Sequence, residues 1–186
     1  ASAINEFVIA LGLNNVCLVG HSMGAAIALT AALERYSWLA GIAMIGGASK
    51  MNVNDAILDG LQNSFEQTID NIIKYSWYKD TGSFFKQKAK QRMLEAGSKV
   101  VHDDFYACSR FDLTDKLAEI DTPALVIASD YDRMVPLNVS QEMAGQLTGS
   151  IFIGLENCGH FQHIEQTGKV ANEISSFLLH LRELRS

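Results

Sequence analysis

The sequence predicts an α/β fold built on a parallel sheet of about four strands flanked by helices. Two observations predict it. Apolar runs of strand length, bounded by glycine or proline, recur at 16–20, 41–47, 123–129 and 150–154. Segments of helical period separate several of these runs, and a helix between apolar strands marks a βαβ unit, whose strands run parallel. The 186 residues are 48% hydrophobic and 19% charged, which is the composition of one ordinary globular domain.

The elements follow in order. Residues 3–12 carry Ile4, Phe7, Val8 and Leu11 on one helical face, Gly12 stops the helix, and Asn14-Asn15 turns into the strand at 16–20. Residues 23–35 are Ala-rich, with few polar side chains before Glu34, so this helix should be largely buried. Gly41 to Gly47 is the second strand. The alternation then breaks: 74 residues, 48–121, stand where a crossover needs only about a dozen. They read as helices from Ile57, Leu58, Leu61 and Phe65, from Ile69, Ile72 and Ile73, from Phe85, Ala89 and Met93, and from Val101, Phe105 and Cys108. Much of the aromatic content falls there. A helical lid over a site fits that length, giving a core of 1–47 and 122–186 with a cap at 48–121. Strand 123–129, a helix over 137–147 and strand 150–154 follow. The closing amphipathic helix carries Val170, Ile174, Phe177, Leu178 and Leu181, and its basic end (Arg182, Arg185) suits its dipole. There is no internal repeat, low-complexity tract or linker.

Composition also excludes some functions. The net charge of −6, with no basic cluster, argues against a nucleic-acid surface. No apolar run is long enough to span a membrane, and no secretory signal is visible at the start, so a cytoplasmic protein is expected. Cys17, Cys108 and Cys158 form no CxxC and cannot all pair, so reduced thiols are expected. No spacing of His, Cys, Asp or Glu suggests a metal, and no cofactor is expected.

The chemistry centres on Gly20-His21-Ser22-Met23-Gly24, which joins strand 16–20 directly to a helix. A strand that turns at once into a helix strains the residue at the corner and requires small neighbours, here Gly20 and Gly24. Ser22 is thereby lifted clear as a nucleophile, and the Met23 amide at the helix start is free to bind an oxyanion. A serine needs a base, and the base an orienting carboxylate. Both should sit in loops at the C-terminal ends of strands, where parallel sheets put their sites. Two loops qualify: Asp130-Tyr131-Asp132-Arg133-Met134-Val135-Pro136, and Glu156-Asn157-Cys158-Gly159-His160-Phe161.

With its elbow, acid turn and base turn in that order, the chain resembles the α/β-hydrolase fold superfamily, in its small lidded serine esterase-like branch. The resemblance selects Asp132 as the acid, with Asp130 in reserve, and His160 as the base. It implies that His21 packs beneath the elbow and that His21, Trp77, Phe105, Val135 and Phe161 line a substrate pocket. His102, His163 and His180 have no partner pattern; Cys158 reads as a packed thiol and Cys17 as core. The resemblance covers the later part of the family pattern only. Strands before the elbow, and a loop that would supply a second oxyanion N–H, have no counterpart in residues 1–15. Strand 16–20 is thus expected at an apolar edge that invites association. A fragment of a longer enzyme, pairing with another chain, and a short variant that self-associates through this edge are all consistent with this; the absent Met and the start within a helix favour the first. The expected function is hydrolysis of a small or medium carboxylic ester or related acyl substrate, feeble in this chain alone. C–C bond or lactone hydrolysis, perhydrolysis, and a non-catalytic ligand-binding or signalling role are the alternatives.

Overall fold

The computed structural model describes residues 1–184; Arg185, whose charge was assigned to the last helix end, lies outside them. Among the described residues the sheet has four parallel strands in the order β1 (Val16–His21), β2 (Leu39–Ile45), β3 (Ala124–Ser129) and β4 (Ile151–Leu155). Every expected strand is present, displaced by one or two residues at its ends. The largest displacement is in β2, which stops at Ile45 because Gly46 turns into a left-handed conformation (φ 56°).

Side chains alternate across the pleat and so build two cores. Ile42, Met44, Ala124 and Val126 face α2 (Met23–Leu33), α7 (Leu137–Gln146) and Val8 of α1 (Ser2–Ala10). Ala43, Ile45, Leu125 and Ile127 face the closing helix α9 (Thr167–Glu183) through Val170, Phe177 and Leu181. Helix α9 comes so close to β2 that a Cβ on Gly41 would stand 2.6 Å from a methyl of Leu181. Leu178, expected on the buried face of α9, is instead 42% exposed. Helix α2 is buried through Ala25, Ala26, Ala28, Leu29, Ala31 and Ala32, as an alanine-rich helix must be to approach a sheet closely. Strand β1 stands at one edge, with Val19 half exposed; Cys17, expected in the core, is only partly buried there.

Between β2 and β3 run α3 (Asp55–Asn63), α4 (Phe65–Ser76), α5 (Ser83–Ala96), α6 (Ser98–Ser109) and a 3₁₀ turn at Thr114–Glu119. The two ends of this segment are zipped together. Leu113 N–H donates to the Ser49 carbonyl at 2.8 Å, Met51 N–H to that of Phe111 at 3.3 Å, and Lys50 pairs with Asp112. Its helices share a third apolar cluster of Leu61, Ile69, Ile72, Ile73, Trp77 and Val101. Phe161 and Ile164, from beyond β4, pack into that cluster, so the segment has a second attachment far from its neck.

Candidate active site

The strand–helix corner forms as the sequence requires. Ser22 sits at φ 53°, ψ −116°, a conformation costly for any residue with a Cβ, and its N–H is held by the Ile45 carbonyl at 2.9 Å. A Cβ on Gly20 would lie 2.1 Å from the Gly24 carbonyl oxygen, so only glycine fits there. Gly24 differs from expectation: a Cβ there would meet nothing within 4 Å, so its smallness is not a packing requirement. Helix α2 begins at Met23, whose amide therefore has no intrahelical acceptor.

The two loops predicted to carry the acid and the base leave adjacent strands, with Ser129 and Leu155 in register at their ends. Asp130 N–H to the Leu155 carbonyl and Tyr131 N–H to that of Cys158 continue the pairing into the loops. Asp132 is 5% exposed and fully provided with donors. Its Oδ1 accepts from the amides of Met134 and Val135 at 2.8 Å each, and its Oδ2 from His160 Nδ1 at 2.7 Å and Gln162 Nε2 at 3.1 Å. Since a carboxylate only accepts, His160 carries its proton on Nδ1, which leaves Nε2 as the ring nitrogen able to take another. Asp130, the reserve acid, points elsewhere: it is exposed and accepts from the Cys158 amide at 3.3 Å.

Ser22, Met23 and His160 open onto one cavity of about 550 Å³. Its walls are largely apolar, from Met51, Ile57, Ile72, Ile73, Met93 and Phe105 on one side and Met134, Val135 and Val139 on the other. Of the expected pocket residues, His21, Phe105, Val135 and Phe161 line it. Trp77 does not. It is buried behind Phe161, with the two rings stacked at 4.2 Å and 14°.

His21, expected beneath the elbow, lies against His160, its Nε2–H donating to the His160 carbonyl at 2.7 Å, and its ring stands 4.5 Å from that of His163, for which no partner was expected. Other residues around His160 were not anticipated. Gln162 is wholly buried and donates to both Ser129 Oγ and Asp132, while Ser129 Oγ donates to the Gly159 carbonyl. Gly46 passes so near that a Cβ there would stand 3.2 Å from His160 Nδ1. Glu165 receives four donors and, among the described residues, pairs with no cation: Tyr78 N–H at 2.9 Å, Thr81 Oγ1–H at 2.8 Å, and the amides of Gly159 and Phe161 at 3.2 Å each. A signal for this last contact exists, since Glu165 is one helical turn beyond Phe161 and can reach back to its N–H. Its reach into the helical segment has no local signal.

Burial first, then the neighbouring His160, lowers the His21 pKa to about 3. Burial also lowers that of the partly buried His163 and pushes the Cys158 thiol up to about 12. Among the described residues no group of His, Cys, Asp or Glu could hold a metal, and no helix is long and apolar enough to cross a membrane.

The profile of the alpha/beta hydrolase family matches residues 1–173. The chain belongs to that family. It is 26% identical, over 97% of its length, to 2-hydroxy-6-oxononadienedioate/2-hydroxy-6-oxononatrienedioate hydrolase 2 of Pseudomonas putida, and spans 68% of that protein. To a monoacylglycerol lipase of Xenopus laevis it is 26% identical over 96% of its length, spanning 60% of the lipase. In fold it is similar to an esterase of Exiguobacterium antarcticum, with a TM-score of 0.88 at 22% identity, covering 95% of this chain and 71% of the esterase. Family members are thus hydrolases, esterases among them.

Two predictions follow from the corner and from the histidine beneath it. Gly20→Ala should destabilise the protein by about 3 kcal/mol or more, because the new Cβ meets backbone that cannot rotate away. Gly24→Ala should stay within about 1 kcal/mol of wild type, toward greater stability, as alanine favours a helix over glycine. Urea midpoints of the two variants check the pair. For His21, the unfolded state takes up a proton below about pH 6.5 and the folded state only near 3, so stability should fall as pH drops through that window, by about 1.4 kcal/mol per unit. Between pH 7 and 5, wild type should lose about 2 kcal/mol more than His21→Asn. Equal losses would exclude a neutral buried His21.

Proposed function

We propose that the protein is a serine hydrolase that cleaves a small or medium carboxylic ester, or a related acyl substrate, through Ser22, His160 and Asp132. The observation that carries this reading is the 2.7 Å hydrogen bond from a buried His160 to a buried Asp132, on the wall of the cavity onto which Ser22 opens. His160 Nε2 takes the Ser22 proton as Oγ attacks the carbonyl carbon. Asp132 stays ionised, holds the imidazole in the required tautomer and stabilises the imidazolium. The Met23 N–H donates to the tetrahedral oxyanion. The C–O bond then breaks, and His160 returns the proton to the departing alcohol. A water molecule, deprotonated by the same nitrogen, attacks the acyl-enzyme and releases the acid. Ester and water are consumed; acid and alcohol are formed; no cofactor takes part.

The helical segment at 48–121 acts in this reading as a cap. Its Ile57, Ile72, Ile73, Met93 and Phe105 contribute an apolar wall opposite the loops, which suits an aliphatic or aromatic acyl or alcohol moiety. A second reading, cleavage of a C–C bond by the same three residues, is supported by the likeness to the Pseudomonas putida hydrolase. An ester and a vinylogous diketone offered to one preparation separate the two readings by which substrate turns over faster.

The direct test is reaction with a fluorophosphonate probe together with hydrolysis of p-nitrophenyl esters. Wild type should label and turn over, while Ser22→Ala should do neither and His160→Ala should lose at least about 10³-fold in rate. Labelling that persists in Ser22→Ala would overturn the assignment.

A further inference from the structure

The turn that carries His160 is fixed by an unusual sharing of acceptors. Three consecutive amides, those of Gly159, His160 and Phe161, all find partners outside the turn's own backbone. The central one donates to the Ser76 carbonyl at 2.7 Å, at the C-terminal end of α4. The flanking two donate to the Glu165 carboxylate, whose Oε2 also accepts from Tyr78 N–H and Thr81 Oγ1–H in the link between α4 and α5. Contact is tight: a Cβ on Gly159 would lie 2.5 Å from Tyr78 N and 2.7 Å from the Trp77 carbonyl carbon. Phe161, next to the base, stacks on Trp77, and Tyr78 Oη–H donates to Asn157 Oδ1 at 3.1 Å. Meanwhile Ile72, Ile73 and Ser76 of the same α4 line the cavity.

We propose that Glu165 is a positioning residue: as the common acceptor for the His160 turn and the α4–α5 link, it makes the placement of the base and the placement of the helical wall over the cavity one mechanical unit. The role rests on the reading of His160 as the base. The chemistry of the side chain explains why a carboxylate stands there with no cation paired to it among the described residues. Four N–H and O–H groups converge on it, and only an acceptor at both oxygens satisfies them. A glutamine of the same shape would turn its NH₂ toward one set of donors. That would leave either the Phe161 amide, or the Tyr78 and Gly159 amides at Oε2, facing another donor in a half-buried setting; only the Thr81 hydroxyl could turn to accept. A bound acyl group that presses on Ile72 or Ile73 would be felt at the base turn through Ser76 and Glu165. The same link would transmit any loosening of the helical segment to the orientation of His160 on the cavity it shares with Ser22.

The experiment compares wild type, Glu165→Gln and Thr81→Val, the last removing one donor on the segment's side only. Two quantities are read on the folded chain: hydrogen exchange of the peptides covering 76–82 and 157–161, and the rate constant for fluorophosphonate labelling of Ser22. In Glu165→Gln, exchange should quicken in both peptides together and labelling should slow about tenfold to a hundredfold, the effect of a displaced base. Thr81→Val should move all three readings the same way by a few-fold. Faster exchange confined to 157–161 would overturn the coupling. Faster exchange in both peptides with labelling within twofold of wild type would reduce Glu165 to a structural clamp and overturn the positioning role. If Glu165→Gln fails to fold, Thr81→Val decides alone on the same three readings. His160→Ala serves as the separate control: if it labels as fast as wild type, the base assignment fails, while the exchange data still judge the coupling.

Discussion

Adjacent parallel strands deliver their C-terminal loops side by side, and the register of β3 against β4 decides what can meet there. With Ser129 opposite Leu155, the loop after β3 brings Asp132 beneath the loop after β4, and the buried hydrogen bond to His160 Nδ1 closes the gap. The rest of the site is arranged to keep that bond. Two backbone amides fix one carboxylate oxygen, Gln162 shares the other, and Ser129 holds Gln162 in place. A slip of one residue between these strands would turn Val126 and Ile127 to the wrong cores and part the two loops together. Packing and chemistry thus depend on the same register.

Strain at the serine is sustained from the same sheet. Ser22 occupies a backbone conformation that no ordinary turn would choose, yet its amide extends the β1–β2 ladder through the Ile45 carbonyl. Helix α2 starts on the next residue and is buried through six of its eleven residues, from Ala25 to Ala32. The corner cannot relax without lifting an alanine-packed helix off the sheet, so burial of apolar surface holds a local conformation that is itself unfavourable.

Most of the frame was legible in the chain because it is written in local patterns. The four apolar runs and most of the face of α9 carry their own periodicities, and the loops that hold Asp132 and His160 are visible as strand ends, although the choice of Asp132 over Asp130 rested on the family resemblance. What escaped was set by contacts between distant segments. Gly24 looks like a partner of Gly20 but meets nothing, because crowding depends on the approach of other backbone and not on symmetry about the serine. Trp77 looks like a pocket aromatic, yet Phe161 covers it; which of two stacked rings faces a cavity is a tertiary fact. His163 has no partner in sequence and finds His21 only when two turns from opposite ends of the chain converge. Gln162 and Glu165 were visible as polar residues after the base, but their acceptors and donors come from β3 and from the α4–α5 link.

The cavity is divided by origin. Ser22, Met23 and His160 enter it from the elbow and a strand-end loop tied to the sheet, while the opposite wall comes from the segment between β2 and β3, whose core is separate and whose lining is mainly apolar, with Lys50, Asn54 and Asp104 also contributing. Such a division would let the wall change with substrate while the polar groups stay put, if the two halves were independent. They are not. Phe161 and Ile164 belong to the His160 loop and the short helix after it, yet they pack in the helical cluster, and the His160 amide ends on a helix carbonyl. A substitution that reshapes α4 therefore bears on the His160 turn as well as on the cavity wall that Ile72 and Ile73 line.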